Sequence, residues 1–303
     1  MSLSDRIEEL KEENDAVIVA HNYQVGEIQD AAEFVGDSFG LARKVTELDV
    51  SNVVFCGVDF MVESAAVLNT DKRIIHPESQ AGCPMAQMVD LDELRDYKEK
   101  NPDAAVVSYV NTNIETKAES DVCCTSSNAV KVVESLDNPK VLFVPDRNLG
   151  HYVKRFVQDK EVDLWEGYCA THDDIMKEDV EKLMNEYPEA EVVVHPECKP
   201  EIVDIADFVE STAGILERAK TTSAKHMIIG TEKEMGYRLK KEVPKKEYHF
   251  PGDPTCQNMK KITLEKVVRS LERLEPVITV DEGLASRAKK PLERMIRIGR
   301  GSE

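Results

Sequence analysis

Apolar runs of strand length recur along this chain at 16–20, 104–107 and 192–194, and each breaks into polar residues: His21-Asn22-Tyr23, Tyr109-Val110-Asn111 and His195-Pro196-Glu197. Short, unbroken apolar runs predict strands that are covered on both faces. Taking 21, 109 and 195 as equivalent gives offsets of 88 and 86 residues. The same offsets relate a second set of runs (52–55, 140–143, 226–229) and a third (72–77, 160–165, 246–251). Each run of the third set leads shortly to a cysteine: Cys83, Cys169 and Cys256, spaced 86 and 87 residues apart. Self-similarity at a fixed long period predicts one supersecondary unit present three times.

The segment between the first two runs repeats as well. Ala32-Glu33-Phe34-Val35 matches Ala206-Asp207-Phe208-Val209 in the same frame, and Gly40 matches Gly214. This register makes Ser38, Ser126 and Thr212 equivalent, and each is predicted to cap the start of a helix with its hydroxyl. Helical periodicity appears at 4–13, 91–100, 179–186 and 264–274. Strands that alternate with helices predict parallel sheets with helices on both sides. The expected fold is therefore α/β, with three pseudo-threefold-related αβα sandwich domains around a central cleft. Their expected bounds are 1–83 with a returning tail 277–303, then 84–169, then 170–276.

The chain's 41% hydrophobic residues can supply core for all three units. Its 39 Lys and Arg against 58 Asp and Glu give a net charge of −19, a field that repels phosphate backbones, so no nucleic-acid partner is expected. No apolar stretch has membrane-spanning or signal-peptide length, which predicts a cytoplasmic protein with no membrane partner. Seven cysteines, an odd number in such a chain, favour thiol or metal chemistry over a disulfide framework.

Ligand-handling groups of parallel sheets gather at the carboxyl ends of the strands, where all the polar triplets fall. Three units around a pseudo-threefold axis would aim them, and three thiolates, at one cleft. Three soft ligands with no evident fourth suggest a four-iron cluster that keeps one iron free of protein, able to act as a Lewis acid on substrate. Structural zinc would close with four ligands at short spacings; Cys169 and His172 have such a spacing, but nothing pairs with them nearby. Cys56 reads as a small buried apolar residue. Cys123, Cys124 and Cys198 lean the same way. His21 and His195 read either as satisfied strand-end histidines or as ligand contacts. The starts of helices at Ser38, Ser126 and Thr212 suit carboxylate or phosphate. Tyr23, Tyr109 and Glu197 are acid/base-capable groups at the same edge.

From Ala20 to Thr263 the sequence resembles the quinolinate synthase family. The resemblance rests on Ala20-His21-Asn22-Tyr23-Gln24, Gly36-Asp37-Ser38, Ala81-Gly82-Cys83-Pro84-Met85-Ala86, Tyr109-Val110-Asn111-Thr112, Cys169-x-x-His172, His195-Pro196-Glu197-Cys198, Ser211-Thr212 and Pro254-Thr255-Cys256-Gln257-Asn258-Met259. It implies a [4Fe-4S] cluster on Cys83, Cys169 and Cys256, the same cysteines that the repeat singles out. It also implies a reaction: iminoaspartate condenses with dihydroxyacetone phosphate, losing phosphate and two waters, to give quinolinate for NAD synthesis. Carried over by motif, His21, Ser38, Tyr109, Asn111, Ser126, His195, Glu197, Ser211 and Thr212 would hold the substrates. Tyr23, Tyr109 and Glu197 would move protons. Functional coupling to an iminoaspartate-producing enzyme is compatible with that chemistry. Some relatives carry C-x-x-C-x-x-C around the last cysteine; this chain has Cys256 alone there, which removes any disulfide switch based on that motif.

Two other readings remain open on sequence. One is an electron carrier or sensor whose cluster is closed by Cys198 or His172; the other is a metal-free dicarboxylate-binding module built on the helix starts and histidines.

Overall fold

A computed structural model describes residues 2–300 of the chain. Among the described residues, twelve strands form three four-stranded parallel sheets. The first contains β1 (Ala16–His21), β2 (Phe34–Gly36), β3 (Asn52–Cys56) and β4 (Arg73–Ile75). The second contains β5 (Ala104–Tyr109), β6 (Val122–Cys124), β7 (Lys140–Val144) and β8 (Glu161–Leu164). The third contains β9 (Glu191–Val194), β10 (Phe208–Val209), β11 (His226–Gly230) and β12 (Glu247–His249). All three share one order, 2-1-3-4 within the unit, with helices on both faces. The α/β fold of three αβα layers expected from the repeat is the fold observed.

The central strands are nearly continuous buried apolar runs: β3 is buried at every position and β1 at all but Val17. That pattern follows from covering both faces of a parallel sheet. One device recurs in each unit. An acidic side chain before the second strand accepts the free N–H of the first: Glu33 from Ile18 at 2.7 Å, Asp121 from Val106 at 2.7 Å and Asp207 from Val192 at 2.8 Å. These pairs follow the offsets of the repeat and satisfy donors that the short second strand leaves unpaired.

Two features differ from expectation. The edge strand that comes second in each unit (β2, β6 and β10) was not anticipated, because two or three residues at a sheet edge make no apolar run of their own. The hydroxyl caps also fall one step away. Asp37 and Ser211 are the caps, their side chains accepting from the N–H of Gly40 and Gly214, so Ser38 and Thr212 are the first helical residues. Ser126 lies in the loop before the helix Ala129–Glu134, whose cap position is Asn128. Because the preceding residue takes the capping bond, the Ser38 and Thr212 hydroxyls are free to face elsewhere.

The helices Leu3–Glu13 and Leu264–Arg273 pack together over the first sheet, with Ile7, Leu10, Val267 and Leu271 buried against Ile18 and Val54. The last helix, Glu282–Arg300, lies between the first two units, and its Ala288, Leu292 and Met295 are fully buried. No helix among the described residues is long and apolar enough to cross a membrane.

Candidate active site

The carboxyl ends of the three sheets enclose one cavity of about 540 Å³, within the size range of small-molecule sites. His21 and Tyr109 are the last residues of β1 and β5, and His195 follows β9 directly. All three reach the cavity, together with Tyr23, Ser38, Asn111, Ser126, Glu197 and Thr212. Cys83, Cys169 and Cys256, one from the loop after the fourth strand of each unit, line it too. Ser211 is the one expected site residue that does not. Buried behind the wall, it is engaged in capping the helix Thr212–Thr221. Cys56, Cys123, Cys124 and Cys198 are buried away from the cavity, and the Cys198 thiol donates to the Gly230 carbonyl at 3.2 Å. That bond and its burial count against Cys198 as a fourth metal ligand.

The imidazoles are held in defined tautomers by hydrogen bonding. The main-chain N–H of Tyr23 donates to His21 Nδ1 at 3.2 Å, and that of Glu197 donates to His195 Nδ1 at 3.3 Å. Each neutral ring therefore carries its proton on Nε2. His195 Nε2 lies 3.1 Å from Ser126 Oγ. Burial lowers both rings to about 3, against the pull of the Glu197 charge, so both are neutral donors at neutral pH.

Glu197 sits at the centre of a network joining all three units. The Tyr109 hydroxyl donates to its Oε1, and His172 Nδ1 lies 2.9 Å from its Oε2. Burial pushes the carboxyl up, but the His172 and Tyr109 hydrogen bonds outweigh it and hold Glu197 below the ordinary carboxylate range. Burial, reinforced by the Glu197 charge, raises the phenols of Tyr23 and Tyr109 well above their ordinary value. With its Nδ1–H given to Glu197, His172 accepts at Nε2 from Thr231 Oγ1 at 2.9 Å, and Thr231 in turn accepts from the Tyr23 hydroxyl at 2.6 Å. A continuous path thus runs from Tyr23 through Thr231 and His172 to Glu197. The sequence reading had considered His172 only as a ligand, and had missed Thr231. The carboxyl end of β11 was a signal for Thr231, but no repeated polar residue marked it.

No lysine or arginine among the described residues lines the cavity; the charged groups there are acidic, Asp37, Asp174, Glu197, Glu232 and Asp253. An anion entering it would meet hydroxyls, neutral Nε2–H donors and the starts of the ten-residue helices Ser38–Glu47 and Thr212–Thr221. Positive charge from a bound metal would complete the field.

The donor set fits a thiolate-held centre. Burial pushes the Cys83 thiol up to about 12, and it raises Cys169 and Cys256 too, with neighbouring thiols and acids adding to the effect. Thiols in such surroundings keep their protons unless a metal ion coordinates them, which is the environment a cluster supplies. A second grouping, Cys169, His172 and Glu197, has its ligand atoms within 4.8 Å of one another. There both His172 nitrogens and both Glu197 oxygens already have hydrogen-bond partners.

Three αβα units that turn their thiols, imidazoles and a buried carboxylate relay into one cleft define an α/β enzyme with a shared active site. The family model "Quinolinate synthetase A protein" matches residues 5–297, and the chain belongs to that family. A protein of Dehalococcoides mccartyi strain CBDB1 named quinolinate synthase is 50% identical, with 98% of each chain covered. Quinolinate synthase 2 of Methanosarcina acetivorans is 47% identical over 98% of this chain and 96% of its own. Quinolinate synthase of Caldicellulosiruptor bescii is 48% identical, with 98% of both chains covered.

Proposed function

We propose that this enzyme forms quinolinate for NAD biosynthesis in the cytoplasm, condensing iminoaspartate with dihydroxyacetone phosphate and releasing phosphate and two waters. Cys83, Cys169 and Cys256 would hold a [4Fe-4S] cluster. The observation that carries the reading is the meeting of three free cysteines, one per repeat unit, in a cavity that also collects the strand-end histidines and the Glu197 network.

When bound, the cluster supplies a Lewis-acidic iron with no protein ligand. The protein's own groups do the rest. Ser38, Ser126 and Thr212 offer hydroxyls, and the helix starts behind Ser38 and Thr212 offer N–H groups, to the substrates' carboxylates and phosphate. Ser211 supports Thr212 by fixing that helix start. His21 and His195 donate from Nε2. Asn111 Oδ1, which has no internal partner among the described residues, is available to accept from the substrate. Tyr109 orients Glu197, which as an ionised carboxylate takes protons from the carbon and nitrogen centres that must lose them. Tyr23 gives its hydroxyl proton to a leaving oxygen, and Thr231, which also contacts His172, orients that hydroxyl. Burial of the whole set excludes bulk water from the unstable imine.

Protein purified without oxygen should contain about four irons and four sulfides per chain, change its spectrum on adding substrate and make quinolinate from the two substrates. Iron-loaded protein that forms no quinolinate would overturn the reading. Reversible redox cycling with no spectral response to substrate would favour the electron-carrier alternative instead.

A further inference from the structure

Each cysteine loop is tied to an acidic residue that follows the third strand of its own unit. Asp59 Oδ1 accepts the main-chain N–H of Cys83 at 3.1 Å, and Glu232 Oε1 accepts that of Cys256 at 3.2 Å. In the second unit the equivalent Asp146 stands beside the Cys169 loop, bridged to Gly167 through the main chain. Asp59, Asp146 and Glu232 stand 87 and 86 residues apart, and the cysteines 86 and 87. The acid and its cysteine are therefore a paired feature of the repeat.

The same carboxylates also hold the chain that follows their strands. Asp59 Oδ1 accepts from Phe60 N at 2.8 Å, Asp146 Oδ1 from Asn148 N at 2.8 Å and Leu149 N at 2.9 Å, and Glu232 Oε2 from Glu234 N at 2.8 Å. Capping alone does not call for an acid. Serine or asparagine caps a helix as well as aspartate does, without placing a carboxylate in the interior. Yet Asp146 and Glu232 are completely buried, and Asp146 Oδ2 has no hydrogen-bond partner among the described residues. An unpartnered buried oxygen destabilises the fold, so a local helix-capping role does not account for the residue. A carboxylate differs from a serine hydroxyl in reach: it spans from the start of one segment to the N–H of a residue 24 positions further on, as the Asp59 and Glu232 bonds show. Glu232 is itself fixed by Lys260 at 2.7 Å.

We propose that Asp59, Asp146 and Glu232 are positioning residues for the metal centre, each stapling one cysteine loop to the segment after its own strand so that three distant thiols are set in one geometry. The inference rests on the cluster reading above. Ligand geometry fixed by outer hydrogen bonds is worth about 10–100-fold in metal affinity elsewhere.

The test compares full-length, anaerobically reconstituted protein with three kinds of variant at these positions, following iron and sulfide per chain and the rate of iron release to a chelator. Asp146→Asn and Glu232→Gln keep an acceptor of the right reach and should release iron at close to the wild-type rate. Asp146→Ser keeps the helix cap and Asp59→Ser a short acceptor for the Phe60 N–H, but both fall short of the cysteine loop, and they should release iron about 10-fold faster or more. Asp59→Ala and Glu232→Ala should do the same. Serine variants that are folded by circular dichroism and hold iron like wild type would overturn the inference, as would amide variants that lose iron as fast as alanine. Wild-type protein that takes up no iron would reject the cluster reading itself, a separate outcome.

Discussion

The Tyr109 hydroxyl donates to Glu197 Oε1 across the boundary between the second and third units, while His172 approaches the other carboxylate oxygen at 2.9 Å. Glu197 is 3% exposed, a burial that on its own would favour the protonated acid. The two partners reverse that preference and favour the ionised carboxylate.

Glu197→Gln preserves the shape of this network and removes the base. Turnover at saturating substrate is expected to fall about 10²-fold or more, with iron content unchanged. Steady-state kinetics on preparations matched for iron is the measurement. Unchanged kcat would take Glu197 out of proton transfer and leave it a structural acceptor for Tyr109 and His172.

The buried histidines set a pH dependence of stability. His195 has its folded pKa lowered to about 3 from an ordinary 6.5, and His21 behaves alike. Between those values the unfolded chain binds protons that the folded chain refuses, so stability is complete above about pH 6.5 and is lost progressively as pH falls toward 3. Glu197, whose folded pKa is lowered from 4.5, adds its own loss only below that value. From pH 7 down to pH 5 the histidines lower stability, opposed by Asp37, Asp146 and Glu232, whose carboxyls burial pushes up. The wild-type melting temperature should fall over that interval relative to that of His195→Gln. Parallel curves for the two proteins would contradict the neutral, buried assignment of His195.

Much of this architecture was legible because repetition supplied its own controls. Offsets of 88 and 86 residues, read from strand ends, also located the cysteines, and the cysteines were the part of the site that isolated motifs could least have justified. The repeat was less informative where each unit does something different. His172 follows Cys169 by three residues, but neither Cys83 nor Cys256 is followed by a histidine at that position, so nothing in the repeat distinguished a relay from a ligand. Ser38 and Thr212 were placed correctly at helix starts, yet assigned the wrong bond. An Asp-Ser or Ser-Thr pair offers two capping side chains in a row, and only the backbone angles decide which residue stands outside the helix. The acids of the cysteine loops were readable at the same spacing, but an acidic residue after a strand is too common to stand out without its bond to a cysteine N–H.

Seven cysteines of one chain should divide cleanly. Cys83→Ala, Cys169→Ala and Cys256→Ala each remove a thiol from the cavity and are expected to abolish stable iron binding. Cys56→Ala, Cys123→Ala and Cys198→Ala remove thiols buried elsewhere, among apolar neighbours or against the Gly230 carbonyl. They should keep full iron content at a cost of about 1 kcal/mol in stability. Iron analysis of the six variants checks the partition, and loss of iron from Cys198→Ala with the fold intact would revive it as a fourth ligand.

Gly167 joins the packing of the second unit to Cys169. Its carbonyl accepts the N–H of Arg147 at 2.8 Å, it pairs with Asp146 in an isolated parallel bridge, and Cys169 lies two residues on. A Cβ added there would meet the main-chain carbonyl of Pro145, with Met88 Cβ also within 3.3 Å. A main-chain atom beside a strand end cannot swing aside as a flexible side chain can, so the segment 167–169 itself must shift. Overpacking of this kind costs about 1–3 kcal/mol. The shift would also move Cys169, two residues on. Gly167→Ala should therefore lower both the melting temperature and the iron retained under chelator, whereas Gly283→Ala, on the last helix, where the nearest atom to an added Cβ is the Asp281 carboxylate at 3.3 Å, should lower neither appreciably. A Gly167→Ala protein that melts and holds iron as wild type does would show that the loop carrying Cys169 is not fixed by its contact with Pro145.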